Sequence, residues 1–106
     1  GSQACVENMV ARYAKRRDLI HDGLNSIPGI SCIKPESTFY AFPNISSFGM
    51  SSWDFAKYMA KEHKVAVVPG SIFGENGEGY VRISFATSSD NLKTALERLA
   101  EGVVNL

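Results

Sequence analysis

Among the 106 residues of this chain, Arg82 is the side chain with the most distinctive chemistry. It sits in Tyr80-Val81-Arg82-Ile83-Ser84-Phe85, whose strict alternation would put Val81, Ile83 and Phe85 on one face of a strand and Tyr80, Arg82 and Ser84 on the other. A guanidinium stays charged at any working pH and offers a planar fork of donors that matches a carboxylate or a phosphate. A solvated arginine on an open sheet is the competing reading. Spacing alone favours it, because most strand arginines are surface residues.

The other candidate constellations carry less. Gly70 to Gly79 contains four glycines and invites a phosphate-cradle reading, yet it lacks the Gly-Lys-Ser/Thr of a P-loop, and Glu75 and Glu78 would repel an anion. A structural loop using glycines at positive φ is expected instead. The Tyr80–Phe85 strand superficially echoes an RNA-recognition signature, but Glu78 stands where that signature wants a cation and Val81 where it wants glycine or alanine. Ser31-Cys32-Ile33-Lys34 has the Ser-x-x-Lys spacing of some acyl enzymes without their partner motifs. His21 and His63 each lie alone and are expected at the surface or its boundary. Cys5 and Cys32 show neither a CxxC spacing nor histidine neighbours, which argues for two reduced structural thiols rather than a zinc site or redox pair. Trp53 and Met59 read as core or helix-packing residues. No triad, carboxylate pair or metal cluster emerges.

Composition narrows the partners. Lysine plus arginine and aspartate plus glutamate balance at 11 each, so no surplus positive field exists to hold nucleic acid or anionic lipid. Apolar runs such as Val65 to Val68 fall far short of the roughly 20 residues a membrane-spanning helix needs. A cytoplasmic protein with one core is expected. Gly1-Ser2 reads as a cloning scar, leaving residues 3–106 as one domain.

The elements that must position Arg82 follow from periodicity. Val6, Val10, Tyr13, Ile20, Leu24 and Ile27 fall on one stripe at helical spacing, and the long first helix must stop before Ile27-Pro28-Gly29. Short strands are expected at Ile30–Ile33, Phe39–Phe42 and Val65–Val68, in addition to the Arg82 strand. Ser51 and Asp54 outline a capping box for a second helix over Ser52–His63. Ser88 caps a third, whose inward stripe is Leu92, Leu96, Leu99 and Val103, with Gly102 at its fraying end. The order predicts an α/β fold of the α+β type: a small, mostly antiparallel sheet of three to four strands with helices packed on one face.

Three segments in register carry a resemblance. They are Ser37-Thr38-Phe39-Tyr40-Ala41-Phe42-Pro43, Val65-Ala66-Val67-Val68-Pro69-Gly70-Ser71-Ile72-Phe73-Gly74, and Gly77-Glu78-Gly79-Tyr80-Val81-Arg82-Ile83-Ser84-Phe85-Ala86. Together they resemble the C-terminal small domain of class I/II aminotransferases, the aspartate-aminotransferase-like enzymes of fold type I. The resemblance covers nearly the whole chain. The first helix looks like the one that passes from the large domain to the small domain, and Leu96-Glu97-Arg98-Leu99 resembles the closing helix.

What the resemblance implies is specific. Arg82 matches the arginine that pairs with the substrate α-carboxylate, and Phe39 matches an aromatic near the substrate, for which packing is an equally good account. Ser37-Thr38 stands where the family has Gly-Ala, and Ile72 where it has a small residue. The parent would use pyridoxal 5'-phosphate to move an amino group between an amino acid and a 2-oxo acid, and would be a homodimer. The cofactor-binding lysine belongs to the large domain, and no lysine here has the family's Ser-x-Ser/Thr-Lys context. The chain alone is therefore expected to be monomeric, to hold no cofactor and to catalyse nothing. Which amino acid is used, and whether the parent is a transaminase or a lyase or synthase of the same fold, stay open. The competing class is a non-enzymatic amino-acid-sensing or interaction module.

Overall fold

The computed structural model describes residues 2–35, 39–85 and 87–106, with side chains of the first helix described at Arg12 and from position 14 onward. The side chains of Cys5, Val6, Val10 and Tyr13 therefore lie outside what is described, as do Ser37, Thr38 and Ala86 entirely.

Helix α1 spans Ser2–Asn25. It stops where expected, and the turn that follows places Gly29 at φ 91° before Ile30 returns to the core. Asn25 braces this turn. Its side-chain amide donates to the carbonyls of His21 (2.9 Å) and Cys32 (2.8 Å), and its oxygen accepts from the Cys32 amide (2.9 Å). The brace explains why Ile30–Ile33 is not a strand. Both backbone groups of Cys32 are held by one side chain, only Ser31 makes a bridge, to Asn44, and Ile33 is 89% exposed.

Strands β1 (Tyr40–Ala41), β2 (Val68–Pro69) and β3 (Val81–Ser84) form a three-stranded antiparallel sheet in the order β1-β3-β2. The register pairs Tyr40 with Ser84, Ala41 with Ile83, Val68 with Arg82 and Pro69 with Val81. Pairing starts at Val68 rather than at Val65, whose amide is drawn to the Met59 carbonyl at the end of the second helix (3.0 Å). Pro69 is tolerated because β2 is an edge strand.

Helix α2 covers Ser52–His63, as the sequence predicts, with the Ser51 hydroxyl accepting from the Asp54 amide (3.1 Å). A second cap comes from across the fold. The Glu78 carboxylate accepts from the Ser52 amide (2.7 Å) and the Ser52 hydroxyl (2.8 Å), so a glycine-loop residue carries the counter-charge for the helix start. These bonds hold the Glu78 carboxyl below its ordinary value of 4.5. A depressed folded-state value stabilises the fold above 4.5, and the stabilisation is lost as pH falls through the folded value. Glu78→Gln should accordingly lower the urea midpoint at neutral pH, and the gap to wild type should close on acidification below 4.5.

Helix α3 spans Ser89–Val104, with the Ser88 hydroxyl accepting from the Asn91 amide (3.1 Å). Gly102 is not a fraying end. It lies buried inside α3, where a Cβ would come within 2.6 Å of the Met59 sulfur, so α2 and α3 cross closely at this point. The Tyr58 hydroxyl donates to the Gly102 carbonyl there (2.8 Å) and lies 3.0 Å from Nε2 of His63, which places His63 at the boundary expected of it.

Ile20 and Leu24 of α1, Phe55 and Met59 of α2, Leu92 and Leu99 of α3 and the inward side chains Val81, Ile83 and Phe85 form one buried cluster. Trp53 is an exception to expectation: it is 53% exposed, because Phe55, Ala56 and Met59 define the inward stripe of α2 and residue 53 falls off it. Helices α1, α2 and α3 thus pack on one side of the sheet, and the face bearing Tyr80, Arg82 and Ser84 is covered by none of them.

Candidate functional site

The uncovered face is built by period-two alternation. Ala41 and Val81 point into the core, 1% and 0% exposed, so their neighbours Tyr40, Phe42, Tyr80 and Arg82 must point outward. A further aromatic arrives from the 3-10 turn Gly70–Phe73, which brings Phe73 over the sheet beside Arg82.

Arg82 is half-buried among these rings. Its guanidinium carbon lies 4.4 Å from the centroid of Tyr40 and 4.8 Å from that of Phe73. Among the described residues it makes no hydrogen bond or ion pair, so its donor fork is flanked by rings and engaged by no described protein group. Phe42 meets Phe73 edge-on at 6.1 Å, and Phe39 meets Tyr40 edge-on at 6.4 Å. Phe39 is 43% exposed and its carbonyl accepts from the Phe85 amide (2.7 Å), so it joins Arg82 in one aromatic cluster through Tyr40.

An open groove of about 640 Å³ runs along this face, with Cys32, Lys34, Pro35, Tyr40, Phe42 and Tyr80 among its walls. Lys34 at its edge is paired with Asp18 (3.1 Å). Burial pushes the Cys32 thiol above its ordinary value, opposed by a weaker hydrogen bond with the Phe42 backbone, so the groove holds no activated nucleophile there. A smaller cavity of about 250 Å³ on the helix side is lined by Ile20, Leu96 and Leu99 among others, with no carboxylate, thiol or imidazole among the described residues that line it.

Much of the glycine loop's backbone is already engaged. The amides of Gly70, Gly74, Gly77, Glu78 and Tyr80 are bonded within the loop and its flanks, and the Ser71 amide donates to Ser52 Oγ (3.3 Å). These amides are thus already engaged, and Lys34, the lysine among the groove's walls, is paired with Asp18. No group of three metal-ligating side chains occurs among the described residues, and none of the described helices is long and apolar enough to cross a membrane.

Sequence reasoning put Arg82 on the outward face and Phe39 nearby. It missed Tyr40 and Phe73. Tyr40 was legible, since an inward Ala41 forces its neighbours out. Phe73 was not, because it reaches the sheet through a turn that has no period.

Comparison with known proteins places the chain's sequence and fold among aminotransferases. A sequence model of the family described as aminotransferase class I and II matches residues 1–99. Aromatic-amino-acid aminotransferase 2 of Thermococcus litoralis is 48% identical over 98 residues, covering 92% of this chain and 25% of that protein. The aspartate aminotransferase of Pyrococcus horikoshii is 43% identical over 102 residues, covering 96% of this chain and 26% of that protein. The crystal structure of an aromatic aminotransferase from Pyrococcus horikoshii OT3 superposes with a TM-score of 0.91 at 45% identity, covering 98% of this chain and 28% of the other. The chain thus spans about a quarter of the length of the curated relatives it matches.

Proposed function

Because this chain belongs to the class I and II aminotransferases, we propose that it is the substrate-closing small domain of a pyridoxal-phosphate-dependent enzyme, in which Arg82 grips the α-carboxylate of the amino acid or 2-oxo acid. The observation that carries the reading is a guanidinium held between two rings, with no described protein group on its donors, on the outward side of the sheet. A carboxylate placed in that fork would gain two parallel charge-assisted hydrogen bonds, which fix its direction as well as its charge. The surrounding rings of Tyr40, Phe42 and Phe73 would exclude water from the pair once the rest of the enzyme covers this face, strengthening it.

The cofactor supplies an electron sink for amino-group transfer when bound. The lysine and phosphate cradle that hold it would lie outside this chain, which spans about a quarter of its relatives' length. This chain orients substrate; it does not carry the reacting centre. The parent works as a homodimer on an amino acid and a 2-oxo acid, and the isolated chain is monomeric.

The chain mixed with pyridoxal phosphate and desalted should keep no absorbance near about 420 nm and should not transaminate. Stoichiometric retained cofactor would refute this division of labour. Calorimetry of the same chain with a panel of amino acids should register no binding, whereas a well-formed isotherm would favour an amino-acid-sensing module.

A further inference from the structure

The geometry points to Tyr40 and Phe73 as positioning residues that act through Arg82; this inference rests on the reading of Arg82 as the carboxylate anchor. An arginine that must meet a carboxylate has a long, flexible side chain, and any freedom left in the free enzyme is lost on binding. Here two rings remove that freedom in advance. The guanidinium carbon sits 4.4 Å and 4.8 Å from their centroids, within the range of cation–π attraction, and neither ring consumes the donors.

The two rings come from separate parts of the fold. Tyr40 stands on β1, directly opposite Ser84 and diagonal to Arg82, while Phe73 comes from the turn after β2 and is braced by Phe42. The rings remain 38% and 50% exposed, so core packing does not account for their presence. Large aromatics left half in water on either side of a charged strand residue fit a device that aims the charge.

The test uses the full-length enzyme carrying this domain and reads the dissociation constants of two unreactive carboxylates, maleate and 3-phenylpropionate, by calorimetry. Tyr40→Leu and Phe73→Leu should each weaken binding by roughly 3- to 30-fold, and Tyr40→Phe and Phe73→Tyr should restore it to within about 2-fold. In an Arg82→Ala background the leucine substitutions should add nothing, because their effect passes through the guanidinium. Phe73→Met, which keeps bulk without a ring face, repeats the measurement should the leucine variant melt early. Wild-type binding by the leucine variants, or losses that add in full to that of Arg82→Ala, would overturn the positioning role and leave the anchor standing. Unchanged binding by Arg82→Ala alone would remove the anchor itself, and the positioning role with it.

Discussion

Replacing Arg82 with alanine in the full-length enzyme should lower kcat/KM for the amino acid by about 30- to 5,000-fold, the loss seen when one partner of a desolvated, hydrogen-bonded charge pair is removed. The size follows from where the guanidinium sits. It is half-buried among aromatic rings, on a face that the rest of the enzyme would cover, so a carboxylate left there without it would be poorly solvated. Arg82→Lys should recover only part of the loss, because an ammonium keeps the charge but lacks the two-pronged geometry. Steady-state kinetics of the three proteins decide the matter, and equal kcat/KM for all of them would end the assignment. The fold should survive both substitutions, since no described hydrogen bond or ion pair depends on this side chain.

Gly70→Ala should cost about 3 kcal/mol of stability, lowering the melting temperature by roughly 15 °C. Gly70 is buried, and a Cβ there would fall on the carbonyl oxygens of Gly77 and Tyr80, backbone atoms that cannot turn aside. Its amide is also fixed, donating to the Tyr80 carbonyl (2.8 Å), so the chain cannot step away without breaking the join between β2 and β3. Gly49→Ala is the matched control. Gly49 has φ 70° with nothing within 4 Å of a Cβ, so only backbone strain applies and the cost should be about 1 kcal/mol. Thermal melts monitored by circular dichroism compare the two, and a Gly70→Ala melt as mild as the Gly49→Ala melt would contradict the packing argument. Because the turn after Gly70 carries Phe73, the Gly70→Ala protein should also lose order around Arg82.

How far the sequence could be read depended on whether a feature was set locally. The boundaries of α2 and the N-cap of α3 follow from hydroxyls placed just before apolar stripes, and Ser51 and Ser88 make the bonds expected of them. The outward direction of Arg82 follows from alternation, which needs only one buried neighbour to fix its phase. Features set by distant partners were not legible. The Asn25 amide diverted the Ile30–Ile33 segment from the sheet, Met59 drew Val65 away from the ladder, and Gly102 looks like a helix end until α2 is seen to cross it. Phe73 belongs with these, since a short glycine-bounded turn gives no direction to the side chains it carries.

The Asn25 brace makes the end of the first helix depend on one side-chain amide. Asn25 is exposed to water, while its nitrogen spans two carbonyls, those of His21 and Cys32. Hydrolysis of that one amide to a carboxylate would replace a double donor with an oxygen facing two other oxygens. A single-dalton change, invisible in size or overall shape, would then loosen the end of the first helix and the wall of the groove that starts from it.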